Sequence, residues 1–147
     1  MKKSLRCAVV LAVGALVLPG SAWAHHGDAN RYIEEVSTVT GTLVQLVLVN
    51  PHTLIMFDVT ENGKTTRWTA ELRTPQELAK TYGWTPTTIK VGSRITATGR
   101  AAKSGSPYMS LTERANLVLT DSGKEIYRTP NFGDPTPGPN GLPPASK

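Results

Sequence analysis

The stretch TLIMFDVTENGKTTRWTAEL, residues 53–72, decides the fold. In an extended chain Thr53, Ile55, Phe57 and Val59 point to one face, and His52, Leu54, Met56 and Asp58 to the other. Glu61-Asn62-Gly63-Lys64 interrupts the alternation. Asn-Gly is the dipeptide a tight hairpin turn favours, because both central residues take positive φ. Thr66, Trp68, Ala70 and Leu72 then share a face again. Two strands, each apolar on one side, joined by a tight turn, predict an antiparallel hairpin with one face in a core.

Upstream, Ser37 to Val49 is rich in Val, Leu and Thr and reads as a long first strand, with Gly41 as its bend or bulge point. Asn50-Pro51 ends it, since proline cannot donate to a strand ladder. Downstream, Thr74-Pro75-Gln76-Glu77 has the form of a helix start, with Leu78, Ala79 and Tyr82 on its apolar side and Gly83 as its stop. A fourth strand is expected over Ser93 to Arg100. Further strand material is expected at Tyr108 to Leu111, Ala115 to Thr120 and Glu125 to Tyr127. Three strands, a short helix and two or more strands predict an all-β domain with one short helix, an OB-like five-stranded barrel. Closure hides sheet edges in a chain without disulfides. The alternative is an open antiparallel β-sandwich.

The flanks bound the domain. Lys2, Lys3 and Arg6, an apolar run from Ala8 to Leu18, the breakers Pro19 and Gly20, and Ala22-Trp23-Ala24 form the three-part pattern of a cleavable signal peptide over residues 1–24. The apolar run is shorter than the roughly 20 residues of a membrane-spanning helix. Cleavage near Ala24-His25 would leave 123 of the 147 residues, periplasmic or secreted, with no transmembrane segment. It removes Cys7, the only cysteine, and three of the 16 basic residues. The remaining 13 face 11 acidic ones, so the formal charge falls from +5 to +2. That balance gives no reason to expect nucleic acid as a partner. Residues 25–35 read as a polar lead and 36–128 as the β domain. Residues 129–147, with six prolines and three glycines, read as a disordered tail.

Asn50-Pro51-His52, Phe57-Asp58-Val59, Trp68, Glu71, Pro75, Leu78, Gly83-Trp84, Val91-Gly92, Gly99, Ala101, Lys103 and Gly105 together resemble a family of small exported bacterial proteins. That family is known only as a domain of unknown function. Its members combine a signal peptide, a histidine pair near the mature start, an Asn-Pro-His turn and a Gly-Trp after a short helix. This chain departs from the pattern at Leu72-Arg73-Thr74, where smaller residues are expected, and in its long Pro/Gly tail. The resemblance implies a small β domain outside the cytoplasm and no particular reaction.

Few residues offer chemistry. His25, His26 and His52 are the only histidines. After cleavage at Ala24, His25 carries a free amine beside its imidazole, and His26 or His52 could complete a copper or zinc site. His52 could equally serve only to fix its turn. Asp58, Trp68 and Glu71 are the candidate ligand face, with Asp58 and Glu71 as metal or acid/base carboxylates and Trp68 as packing or as an aromatic shelf. Arg67, Arg73, Arg94, Arg100 and Arg114 are scattered and read as solvated surface. There is no mature thiol, phosphate-cradling glycine loop, Gly-x-Ser-x-Gly elbow or His-Glu-x-x-His pair. The reading that follows is a noncatalytic binding or accessory module for a small molecule, a glycan or an envelope protein. The alternatives are a copper- or zinc-binding protein and, third, an enzyme with a carboxylate acid/base.

Overall fold

The computed structural model describes residues 30–137. Residues 1–29, which include the expected signal peptide, His25 and His26, and residues 138–147 of the expected tail lie outside them. Seven strands and one helix follow in order: β1 Tyr32–Val47, β2 Leu54–Glu61, β3 Lys64–Glu71, α1 Pro75–Tyr82, β4 Arg94–Ala102, β5 Tyr108–Ser110, β6 Asn116–Leu119 and β7 Lys124–Arg128. Hydrogen bonding runs β1-β2-β3-β5-β4, and β4 returns to β1. The sheet is thus a closed five-stranded barrel of the OB type, which excludes the open sandwich. The β3–β5 pairing is parallel and the other ladders are antiparallel.

The long first strand makes closure possible. Its first part, Tyr32 to Thr42, pairs with β4, and its last part, Thr42 to Val47, pairs with β2. The bulge that turns it falls at Val44, between Leu43 and Gln45, not at Gly41. Gly41 has another role. A Cβ there would lie 2.5 Å from the Asp58 carbonyl oxygen and 2.8 Å from the Phe57 ring. The glycine lets β1 and β2 approach where β1 changes partners. β1 also begins at Tyr32, ahead of the expected Ser37. Between Tyr32 and Val36 its register on β4 slips, so this segment carries no period-two signal.

The alternation of residues 53–72 is realised as expected. Thr53, Ile55, Phe57, Val59, Ala70 and Leu72 are buried, and Trp68 packs half-buried against the same core. The α1 helix starts as its sequence dictates: the Thr74 hydroxyl accepts from the Glu77 N–H, Pro75 occupies the first turn, and Gly83 closes it at φ 67°. Leu78 plugs the core. Trp84 is buried as well, its indole N–H donating to the Ile126 carbonyl over 2.8 Å.

β5 and β6 together act as one interrupted strand. Arg100 of β4 faces Ser110, and Thr98, two residues away, faces Asn116. The segment 111–115 therefore loops out of the ladder, anchored by buried Leu111 and Ala115, with Arg114 at φ 46°. The first residues past β7 are tied down too. Thr129 is buried, and the Asn131 side chain accepts from the Arg114 N–H.

Gly41→Ala should lower stability by about 1–3 kcal/mol, the usual cost of overpacking a tight site. Urea denaturation would show this as a reduced midpoint with an unchanged slope. An unchanged midpoint would mean that β1 and β2 can separate without cost.

Candidate functional site

Glu71 is the last residue of β3 and points away from the core, as Arg67 and Thr69 do. Even so, it is only 8% exposed. Three side chains from distant parts of the chain cover it. The parallel ladder sets Tyr108 opposite Thr69 on this outer face, and its hydroxyl donates to Glu71 Oε2 over 2.5 Å. Tyr32, at the start of β1, donates to the same oxygen over 3.3 Å. His52 Nδ1 contacts Glu71 Oε1.

The backbone explains why His52 arrives there. Thr53 N donates to the Arg73 carbonyl, and Leu72 N donates to the Thr53 carbonyl, so the β2–β3 ladder continues past Leu54 and Glu71. Thr53 turns inward and is fully buried, which turns His52 outward toward Glu71. The Asn50–Pro51 bond just before it is cis. The other side of His52 is open. Its side chain is 45% exposed and borders a shallow hollow with Arg73, Thr74, Glu77, Thr112 and Glu113.

Cations surround the tyrosines. The Arg31 guanidinium lies 5.4 Å from both the Tyr32 and the Tyr108 ring centroids, and the two rings stack 6.5 Å apart. Arg100 lies 5.6 Å from the Tyr32 ring. Arg100 and Arg114 are not solvated surface residues. They are 7% and 5% exposed and share Glu34, with Glu113 as a further partner of Arg100. The β1–β4 pairing and the looped-out 111–115 segment bring these charges together, and neither is visible in a local reading. Arg73 is half-buried as well, bonded to Glu77 and to the Thr112 carbonyl. Burial, then the Glu71 carboxylate that accepts its proton, pushes the Tyr108 phenol well above its ordinary range. Burial first, with the neighbouring Tyr82, pushes Tyr127 up to about 12.

The candidate ligand face divides into three places. Glu71 belongs to the cluster just described. Asp58 lies on the same outer face but is opposite Arg67, whereas Leu54 is opposite Glu71. Four positions along the ladder, roughly 13 Å, therefore separate the two carboxylates. Arg67 grips Asp58 with two bonds of 2.5 and 3.1 Å and holds its carboxyl below the usual carboxylate range. Trp68 is on the opposite, core-facing side. Tyr32, Tyr108, Arg31 and Arg100 were not evident as site residues. The only local hint was a tyrosine on the polar side of a strand. Among the described residues no three His, Cys, Asp or Glu side chains form a metal-binding group, and no helix is long and apolar enough to cross a membrane.

These features define a small closed OB-type barrel with a carboxylate-centred polar cluster on its outer face. The chain belongs to a family of unknown function, DUF6152, whose profile matches residues 14–109. Tyr32, His52, Glu71 and Tyr108 all fall within that match. A comparison with curated proteins finds no match.

The raised phenols have a consequence at high pH. The folded protein holds protons that the unfolded chain releases near pH 10, so this stabilisation is complete below about pH 10 and is lost as pH rises through the folded values. Urea midpoints should fall above pH 10, and less steeply in Tyr108→Phe. Absorbance titration at 295 nm should show Glu71→Gln ionising Tyr108 at lower pH than the parent. Superimposable curves would contradict the contact.

Proposed function

We propose that the protein is an exported, noncatalytic binding module that takes an anionic ligand in the groove between β3 and the β4–β5 loop. The observation that carries this reading is the groove itself. It encloses about 570 Å³ and is lined by Arg31, Arg67, Thr69, Lys103, Ser106 and Tyr108 among others. Cavities of this size suit small ligands. Arg31 and Lys103 are exposed, and among the described residues neither meets a carboxylate at ion-pair distance. Two such cations beside serine hydroxyls attract carboxylate, phosphate or sulfate groups. OB-type barrels commonly bind oligosaccharides and other ligands on the face of their second and third strands, between the loops that flank it. An acidic glycan or a phosphorylated small molecule has the required chemistry.

The noncatalytic part is supported by the engagement of the reactive groups. His52 contacts Glu71 and, among the described residues, is hydrogen-bonded to no serine or threonine hydroxyl. Asp58 is held by Arg67. Export is supported by the charged, apolar and small-residue segments of residues 1–24.

Titration with inorganic phosphate and with trigalacturonate, followed by amide NMR, is expected to shift Arg31, Lys103, Ser104 to Ser106 and Tyr108. Arg31→Ala with Lys103→Glu should weaken binding at least tenfold, and added salt should weaken it in the parent. Shifts elsewhere, or the same affinity in the double variant, would overturn the assignment. Turnover of an offered substrate by the purified protein would overturn the noncatalytic reading.

A further inference from the structure

We infer that the second half of β1 is a docking edge for an extended peptide of a partner protein, one with alternating apolar side chains and an acidic group. The edge shares no residue with the anion groove.

The backbone carries the inference. The bulge at Val44 parts β1 from β4. The last bonds on that side run from Leu43 N to the Ser93 carbonyl and from Gly92 N to the Leu43 carbonyl. Main-chain groups along a strand serve its two neighbours alternately. Thr53 serves β3, accepting from Leu72 N and donating to the Arg73 carbonyl, so Leu54 and Met56 serve β1. Their partners there are Val47 and Gln45. The N–H and C=O of Leu46, between those two, therefore point away from β2. Among the described residues no hydrogen bond joins residues 44–49 to the segment 84–92 on this side.

The side chains around the edge suit a strand. Val44-Gln45-Leu46-Val47-Leu48-Val49 carries no charge. A hollow of about 490 Å³ lies between Val44, Leu46 and Leu48 on one wall and Pro86, Ile89 and Val91 on the other. Val91 is 72% exposed, and Leu48 and Val49 are exposed as well. An open edge that is apolar and uncharged invites pairing. The outer edge of β7, by contrast, is guarded. It bears Lys124, Glu125 and Arg128, and the Trp84 indole occupies its Ile126 carbonyl. Strand addition draws affinity from main-chain bonds and specificity from alternate side chains, and the β1 edge offers both.

Shape and charge select the occupant. The Pro86–Val91 wall leaves room beside β1 for a single strand. It obstructs the edge of a second barrel, which would bring its own sheet and its own wall. Lys90 lines the hollow and is exposed, and no acidic residue lines it. Among the described residues Lys90 meets no carboxylate at ion-pair distance. An acidic side chain or terminal carboxylate on the peptide complements it.

The test offers the full chain a panel of acetylated peptides that alternate threonine with valine, leucine or isoleucine and end in glutamate. Amide NMR should place binding at Leu46, Leu48 and Lys90 to Gly92, and solvent exchange of the Leu46 amide should slow. N-methylation of one alternate set of peptide amides keeps the side chains but removes the donors that face β1. It should weaken binding about tenfold, whereas methylation of the other set should not. Lys90→Glu, an exposed change that leaves the fold intact, should weaken the glutamate peptides about threefold and spare their glutamine counterparts. Equal binding by both N-methylated sets, an unslowed Leu46 amide, or no binding by any peptide at millimolar concentration would overturn the proposal. A concentration-dependent dimer that protects the same amide would overturn it too, since the edge would then pair with a second copy.

Discussion

A parallel ladder of three residues does two jobs in this barrel. Thr69, Ala70 and Glu71 of β3 lie beside Tyr108, Met109 and Ser110 of β5. Without this ladder the sheet would remain open between β3 and β5, with two exposed edges. The same register sends Ala70 and Met109 into the core and leaves Glu71 and Tyr108 together outside it. Closure and site assembly are therefore one event. A slip of one residue would expose the core pair and separate the phenol from the carboxylate.

The polar cluster is stable because its members serve one another. A carboxylate that loses water needs donors in return, and Glu71 has them from β1, β5 and the loop before β2. Arg100 and Arg114 are similarly buried, and both close on Glu34 of β1. Removing one partner of such a network strands the others, so its parts are coupled and not additive. The network also gives the start of β1 a fixed position despite its irregular pairing with β4.

The sequence reveals most where burial follows a local rule. Thr53 to Val59 and Thr66 to Leu72 alternate because one side of each strand meets the core, and Thr74, Pro75 and Gly83 mark α1 because helix ends need caps. It reveals least where two distant segments meet. Nothing near Glu71 announces that Tyr32 and Tyr108, 39 and 37 residues away, will cover it. Arg100 and Arg114 look like surface residues until Glu34 is placed across the sheet from them. The extra residues of 111–115 leave the ladder only because β4 fixes the register on both sides. His52 and Glu71 were each identifiable as candidates, but their contact was not.

The account rests on Glu71 and Tyr108 acting as a coupled pair, and a double-mutant cycle measures that coupling most directly. Unfolding free energies of the parent, Glu71→Gln, Tyr108→Phe and the double variant should show an interaction energy of roughly 0.5–3 kcal/mol, the range for residues in contact within one network. Strict additivity would contradict it, because the carboxylate and the phenol would then be neighbours without being partners.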